Sequence, residues 1–186
     1  MIALLTLTAW FVWLLIYWNG GTKALADIRA AQDPQDRLVL IGIGILTVLL
    51  SVVMLAVSIS GDFASPNGQL AWNGFVFVAL GMSGAFYSRW TLGRFWTAQN
   101  AVQTGHRIIT EGLYGIVRHP IYASMILLFM GIALVYLSVP ITLLAWGLIA
   151  LYAYKTRVED AYLQACLPGY ARYSQRVSAR LIPFVW

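Results

Sequence analysis

Cysteine and charge are the two features that this sequence has least of. It contains one cysteine, Cys166, and only 7 acidic and 12 basic residues in a chain of 186. A single cysteine excludes an intrachain disulfide and any metal site built from several cysteines. Charged residues make up 10% of the chain, whereas soluble domains average about 25%. The composition therefore excludes an ordinary soluble domain and predicts an integral membrane protein.

Apolar and aromatic residues are abundant instead. Hydrophobic residues make up 60% of the chain, which includes 8 tryptophans and 10 tyrosines. Tryptophan and tyrosine concentrate where a membrane meets water. The net charge of +5 does not indicate nucleic-acid binding, because the basic residues flank apolar segments and do not form one basic face. We expect membrane lipids, and no nucleic acid, among the partners.

Five apolar segments are candidates for membrane spans, each of which needs about 20 residues. They cover 2–18, 38–59, 70–88, 121–139 and 140–154. The first lacks a basic start and is rich in tryptophan, so it is interpreted as a membrane helix and not as a signal peptide. Almost no linker separates the last two segments, which predicts a tight helical hairpin. Its second helix is expected to continue to Leu167, before Pro168.

The basic residues set the expected orientation. Every lysine and arginine lies in 19–37, in 89–120 or after residue 154. Five spans place these three regions on one side, and the positive-inside rule makes that side cytoplasmic, with the N-terminus outside. Asp62 is then the charge expected on the opposite side. The sequence thus predicts an all-α, multi-pass protein with a long cytoplasmic loop and a cytoplasmic C-terminal tail.

Polar residues gather where this loop meets the fourth span. His106 and His119 both lie in the loop, and the hairpin would bring 118-RHP-120 close to Glu159 and Asp160. Pro120 suits a helix start, and the free N–H groups of a first helical turn favour a negative group. The pattern predicts a site for a polar ligand that carries both charges. Two well-separated histidines without further ligands do not indicate a metal site.

Each of these residues also has a simpler interpretation. Arg118 by itself is typical of an interface anchor that extends to water, and His119 of a residue that bonds to nearby backbone. Glu159 stands four residues after Lys155, a spacing that forms ion pairs on a solvated helix. Contact with anionic lipid head groups is the simpler interpretation of Arg172, Arg176 and Arg180.

The most specific pattern is a resemblance to a known family. It lies in 92-LGRFWTAQNAVQTGHRIITEGLYGIVRHPIYAS-124, 157-RVEDAYL-163 and 170-YARYSQRVSARLIP-183. These stretches, about half of the chain, resemble the isoprenylcysteine carboxyl methyltransferase family, which belongs with the phospholipid methyltransferases among membrane methyltransferases. The family's pattern is met, in order and at matching spacing, by Gln99, His106, Ile109, Tyr114, Arg118, His119, Pro120 and Tyr122.

The resemblance implies an enzyme that binds S-adenosylmethionine at a cytosolic loop and methylates a lipid-like acceptor from the bilayer. The favoured acceptor is a prenylcysteine-type carboxylate, with a phospholipid amine as the alternative. Residues 92–186 would form the catalytic region and 1–91 the first three spans, within one membrane domain. The implied cofactor contacts are Gln99, His106, Arg107, Ile108, Ile109, Tyr114, His119, Pro120, Ile121, Tyr122, Glu159 and Asp160.

Three basic residues are candidates for orienting an acceptor carboxylate, in the order Arg118, Lys155 and Arg180. A carboxylate is already ionised at neutral pH, so methyl transfer needs alignment and exclusion of water and no strong base. Arginine can hold a carboxylate through two parallel hydrogen bonds. Three features depart from the family pattern. Asp160 stands in place of a second glutamate, and Lys155 in place of an arginine, with Arg157 as a nearby alternative. The spacer between the acidic pair and Tyr170 is one residue short, with Pro168-Gly169 where Phe-Gly is common.

Two other classes match fewer features. Sterol reductases, which use NADPH, are similar in the Arg-His-Pro triplet and in an ending like 181-LIPFVW-186, but they are much longer and have more spans. A membrane scaffold or transporter subunit is the non-enzymatic alternative, although the span interiors carry no charge that a transport path would need. Binding of S-adenosylmethionine or of NADPH would separate the two enzyme classes. Oligomeric state is left open.

Overall fold

The computed structural model describes residues 1–17, 22–61 and 68–183. Within these ranges the chain is all-helical and contains no strand. Asp62 and the last residues of the 181–186 ending lie outside the described residues. Seven helices follow in order: α1 (Ile2–Tyr17), α2 (Thr22–Ala30), α3 (Pro34–Ser60), α4 (Gly68–Leu92), α5 (Pro120–Tyr136), α6 (Val139–Cys166) and α7 (Tyr170–Arg176).

Three of these helices, α3, α4 and α6, are long and apolar enough to cross a membrane. The helices α1 and α5 are also apolar, with 16 and 17 residues. The apolar run of α6 ends near Tyr154, yet the helix continues over polar residues to Cys166. These features identify an integral membrane protein whose sixth helix carries a polar extension. The long loop between α4 and α5 contains two short 3₁₀ turns, Gly93–Phe95 and Gly112–Gly115.

Local sequence explains where the helices begin and end. The side chain of Asp33 accepts a hydrogen bond from the backbone N–H of Gln35 at 2.9 Å, which caps the start of α3. Proline stands in the first turn of α3, α5 and α6, where its missing N–H costs nothing. Leu137 adopts a left-handed conformation with φ of 45°, and only this residue and Ser138 connect α5 to α6.

Helix α2 was not expected, because the sequence there was interpreted as a polar loop. Its composition of alanine, leucine, lysine and arginine favours a helix, but at nine residues it is too short for a search for membrane spans to detect. The guanidinium of Arg37 donates to the carbonyl oxygen of Ala31 from Nε at 3.2 Å and from Nη2 at 2.6 Å. This contact fixes α2 against the start of α3 and places the buried side chain of Asp27 beside the long loop.

The helices α4 and α5 approach closely because glycines line their contact. A Cβ atom added at Gly81 would lie 2.7 Å from the backbone nitrogen of Leu128 and 2.7 Å from the carbonyl oxygen of Ser124. A Cβ atom added at Gly131 would lie 2.6 Å from the carbonyl oxygen of Gly74. Small residues at a helix contact allow the two backbones to pack directly in a membrane. The start of α5, with its Arg-His-Pro triplet, is therefore held firmly against α4.

We expect Gly81→Ala to destabilise the protein by about 1–3 kcal/mol, because the added methyl group meets backbone atoms that cannot move aside. Gly44→Ala in α3 is the matched control, since a Cβ atom there has nothing within 4 Å. Both substitutions gain the same helix propensity, so their difference isolates the clash. Thermal unfolding in detergent measures it, and equal melting temperatures for the two variants would contradict the close packing.

Candidate functional site

A cavity lies where the long loop passes the ends of α3, α5 and α6. It encloses about 1070 Å³ of free space, part of which is open to solvent. One part of its wall is apolar and comes from the membrane helices, through Ile43, Met125 and Tyr152. Another part is polar and comes from the loop and from α6, including Glu159. The cavity can therefore accommodate both a polar and an apolar ligand.

Most of the residues predicted from the sequence line this cavity. Pro120, Asp160 and Arg180 are the predicted residues that do not line it. The lining residues are Gln99, His106, Arg107, Ile108, Ile109, Tyr114, Arg118, His119, Ile121, Tyr122, Lys155 and Glu159.

Asp160 lies behind the cavity wall, where its carboxylate is 1% exposed and joins four parts of the chain. Its oxygens accept hydrogen bonds from Arg118 Nε at 3.0 Å and Nη2 at 3.1 Å. The hydroxyl of Tyr170 donates to it at 2.8 Å, and Arg180 Nε at 3.1 Å. His119 Nε2 lies 3.3 Å from the same carboxylate. The structure thus brings the Arg-His-Pro triplet and the acidic pair together and adds α7 and the tail to them.

Arg118 uses all three nitrogens of its guanidinium within the protein. Besides the two bonds to Asp160, Nη1 donates to the carbonyl oxygens of Val177 at 2.9 Å and Ser178 at 2.8 Å. Its backbone N–H also donates to the carbonyl oxygen of Ala179 at 3.0 Å. Only 8% of the residue is exposed. These contacts fasten the C-terminal tail to the start of α5, whereas contact with an acceptor stays a prediction.

Lys155 is buried in an ion pair that the sequence did not predict. Its Nζ donates to the carboxylate of Asp36, and both residues are 1% exposed. The same nitrogen donates to Asn100 Oδ1 at 2.7 Å. Asp36 Oδ2 accepts the backbone N–H of Asn100 at 2.7 Å, and Asp27 Oδ2 accepts the backbone N–H of Ala98 at 3.1 Å. Two carboxylates from the N-terminal segment therefore hold the loop on either side of Gln99.

The sequence contained one signal for these two carboxylates that was not used. The chain has only 7 acidic residues, and Asp27 and Asp36 are two of them. In a chain so poor in acidic groups, carboxylates beside the start of a membrane helix are candidates for buried pairing. Residues 19–37 resemble a polar connecting loop in sequence, which does not indicate buried partners for these carboxylates.

Glu159 is the acidic side chain that lines the cavity. The hydroxyl of Tyr122 donates to its Oε2, and the Tyr122 ring stacks against His119 with a centroid separation of 5.7 Å. Its side chain therefore contributes an acidic group to the cavity lining.

Burial keeps three tyrosines and one histidine outside the membrane helices neutral at physiological pH. Burial raises the pKa of Tyr114 and Tyr170 far above their usual range, and that of Tyr173 to about 12. Burial lowers the pKa of His106, an effect that Glu159 partly opposes. The His106 ring stacks on Phe95 with a centroid separation of 4.7 Å. The loop side of the cavity therefore offers phenols, a neutral imidazole and one carboxylate.

Two polar atoms at the cavity are buried without a hydrogen-bond partner in the described part of the chain. They are Asn100 Nδ2 and His106 Nδ1, and both residues line the cavity. Buried polar groups nearly always have a partner, so atoms of this kind mark places where a ligand can bind. The same described residues contain no group of three histidine, cysteine, aspartate or glutamate side chains able to hold a metal ion.

Comparison with known proteins assigns a family to this arrangement. The family model for phospholipid methyltransferases matches residues 70–168, more than half of the chain. This chain belongs to the phospholipid methyltransferase family. That family covers the isoprenylcysteine carboxyl methyltransferase-like membrane enzymes, so the resemblance drawn from the sequence motifs is confirmed. Membership in the family indicates a membrane methyltransferase.

Two curated relatives are similar to this chain. The cobalt-zinc-cadmium resistance protein CzcN of Cupriavidus metallidurans is 30% identical over 118 residues, which cover 60% of this chain and 54% of that protein. The nickel-cobalt-cadmium resistance protein NccN of Alcaligenes xylosoxydans xylosoxydans is 29% identical over 159 residues, which cover 84% of this chain and 72% of that protein. This chain thus spans about half the length of the first relative.

Proposed function

We propose that the protein transfers a methyl group from S-adenosylmethionine to a lipid-like acceptor at the membrane surface. The observation that carries this proposal is the cavity on which most motif residues of the family and Glu159 converge. Its polar wall suits a soluble, charged cofactor, and its apolar wall suits a lipid tail. Both walls meet where α5 begins, so the two ligands could react there.

The residues at the polar wall fit the groups of S-adenosylmethionine. Glu159 is suited to an amino group or to ribose hydroxyls, because its carboxylate accepts hydrogen bonds. Phe95, Ile108 and Leu163 offer flat or apolar surface to an adenine ring. Asn100 and His106 contribute polar atoms that lack a partner in the described ranges. When bound, S-adenosylmethionine supplies an electrophilic methyl group.

The protein's own contribution is to bind, to orient and to exclude water. Tyr122 holds Glu159 in place, and the stacking of His119 on Tyr122 holds the tyrosine. Met125 and Tyr152 supply apolar surface where the acceptor would lie. Because a displacement at a methyl group needs its reactants in line, such positioning accounts for much of the rate enhancement that we expect.

For the acceptor we propose first a prenylcysteine-type carboxylate, with a phospholipid amine as the alternative. Of the three candidate residues that could orient a carboxylate, Arg118 and Lys155 have protein partners and are nearly fully buried. The side chain of Arg180 is 34% exposed and bonds to Asp160 through Nε. Arg180 does not line the cavity, but it is the most exposed of the three and keeps guanidinium nitrogens for an acceptor that approaches from outside.

We also propose the membrane arrangement that the sequence suggests. Helices α1 and α5 would join α3, α4 and α6 as membrane spans, with α5 and α6 as a hairpin. The N-terminus would lie outside, and the long loop and tail in the cytoplasm, which agrees with the positive-inside rule. A cytoplasmic loop has direct access to S-adenosylmethionine made in the cytosol.

The function is tested by methyl transfer from radiolabelled S-adenosylmethionine. The purified protein is incubated side by side with a prenylcysteine analogue, with phosphatidylethanolamine and with a total lipid extract. We expect label in the prenylcysteine analogue or in phosphatidylethanolamine, whereas label confined to the total extract indicates another lipid acceptor. Absence of label in all three, together with absence of S-adenosylmethionine binding, overturns the proposal. Binding of NADPH in its place would favour a reductase.

We expect Glu159→Gln to weaken S-adenosylmethionine binding at least about tenfold, because a neutral amide replaces the carboxylate that faces the cavity. Isothermal titration measures the dissociation constant. Glu111→Gln is the matched control, since Glu111 is exposed, does not line the cavity and only accepts the backbone N–H of Thr110. Equal affinities for the two variants would remove Glu159 from the cofactor site.

A further inference from the structure

Asn100 is held at the cavity by two hydrogen bonds, whose partners are themselves paired with each other. Its backbone N–H donates to Asp36 Oδ2 at 2.7 Å, and its side-chain oxygen accepts from Lys155 Nζ at 2.7 Å. Asp36 and Lys155 in turn form a buried ion pair with each other. Asp36 lies on α3 and Lys155 on α6, so two membrane helices determine where this loop residue stands.

The lysine also determines which way the amide of Asn100 points. An ammonium group has three donors and no acceptor, so it bonds to the oxygen of an amide and never to the nitrogen. The side-chain oxygen of Asn100 must therefore face Lys155, and Nδ2 is directed elsewhere. This resolves the usual ambiguity between the two ends of an asparagine amide.

The nitrogen that is left over is a buried donor at the cavity. Asn100 Nδ2 is inaccessible to solvent and has no hydrogen-bond partner among residues 1–17, 22–61 and 68–183. A buried donor without an acceptor is costly and rare in folded proteins. Because Asn100 lines the cavity, a ligand bound there can supply the acceptor that this donor lacks.

We propose that Asn100 binds the ligand of this cavity, with Nδ2 donating a hydrogen bond to a ligand oxygen. The proposal rests on the proposed methyltransferase function and adds a residue that the motif comparison did not select. The oxygen is an acceptor without a hydrogen, and belongs either to the carboxylate of the cofactor or to a carboxylate or phosphate of the acceptor. Asp36, which orients Asn100, lies before the matched range 70–168, so the N-terminal helices take part in the site.

The test replaces Asn100 with aspartate, which has the same size and keeps an oxygen facing Lys155. The second oxygen then takes the place of Nδ2, so that a donor becomes an acceptor that repels the ligand oxygen. Asn73→Asp is the matched control, because Asn73 is exposed near the start of α4 and does not line the cavity. Thermal unfolding establishes that each variant is folded.

Two readouts distinguish the two sources of the oxygen. If the oxygen belongs to the cofactor, calorimetric affinity for S-adenosylhomocysteine falls at least about tenfold in Asn100→Asp, the loss expected for a hydrogen bond near a charge. If it belongs to the acceptor, that affinity is unchanged and KM rises by a similar factor for the acceptor that the wild-type protein methylates. Either result supports the proposal.

Asn100→Ser provides a second variant, which keeps an oxygen for Lys155 but removes Nδ2. If the aspartate variant fails to fold, the serine variant tests whether Nδ2 binds the ligand. Unchanged S-adenosylhomocysteine affinity and unchanged KM in a folded variant overturn the assignment of Asn100 and leave the methyltransferase function intact. Failure of the wild-type protein to bind S-adenosylhomocysteine at all overturns both proposals.

Discussion

Asp160→Asn is expected to lower methyl transfer on the order of 100-fold or more and to destabilise the protein by about 3–5 kcal/mol. The substitution keeps the size of the side chain but removes its charge. The buried guanidinium of Arg118 then loses its counter-charge, and an amide NH₂ group faces other donors. Because Arg118 also holds the tail through Val177 and Ser178, we expect the tail to detach from α5.

Three measurements follow this change. Methyl transfer reports the site, thermal unfolding reports stability, and limited proteolysis reports whether the segment after α7 becomes accessible. Asp33→Asn is the control, because asparagine caps a helix about as well as aspartate and Asp33 makes only that local contact with Gln35. An Asp160→Asn protein with normal activity and a protected tail would show that this carboxylate does not organise the site.

Asp36→Ala is expected to cost about 3–5 kcal/mol of stability, since it leaves the ammonium group of Lys155 buried without its counter-charge. The double variant Asp36→Leu, Lys155→Met should recover much of that loss. It removes both charges together and fills similar volume with apolar atoms. The single variants Asp36→Leu and Lys155→Met form a cycle with this double variant, and unfolding in detergent measures the coupling energy.

The double variant also separates stability from function. It restores packing between α3 and α6 but no longer orients Asn100, so we expect a stable protein with weakened ligand binding. If the Asp36→Ala variant has the same melting temperature as the wild-type protein, Asp36 and Lys155 are not paired in the membrane-embedded protein. That outcome would also remove the support for the orientation of Asn100.

The sequence alone predicts the helices that are marked by a continuous run of apolar residues. Apolar runs predict α3, α4 and α6. The near absence of a linker between the segments 121–139 and 140–154 predicts that the start of α5 lies near Asp160. Helix α2 was missed because amphipathic helices of nine residues resemble polar loops when only long apolar runs are sought. Pro168 predicts a continuation of the helix to Leu167, and α6 ends one residue earlier, at Cys166.

The buried ion pair between Asp36 and Lys155 could not be predicted from apolar runs or helix-end signals. Asp36 and Lys155 are separated by 119 residues, and no spacing or motif relates them. Their contact depends on how α3 packs against α6. Because nearly all faces of a membrane helix are apolar, the pattern of apolar residues does not specify that packing. The same holds for Arg118, whose sequence neighbours gave no indication that its third nitrogen holds the tail.

The hydrogen bonds that converge on Asp160 limit which substitutions are compatible with this fold. Because one carboxylate serves Arg118, Tyr170 and Arg180 at once, a change at any of these four positions leaves the other three badly matched. We therefore expect these four residues to covary among related sequences. A glutamate at position 160, one methylene longer, would push α7 outward, so it should be found only in relatives whose segment after α6 is longer or whose tail arginine is displaced.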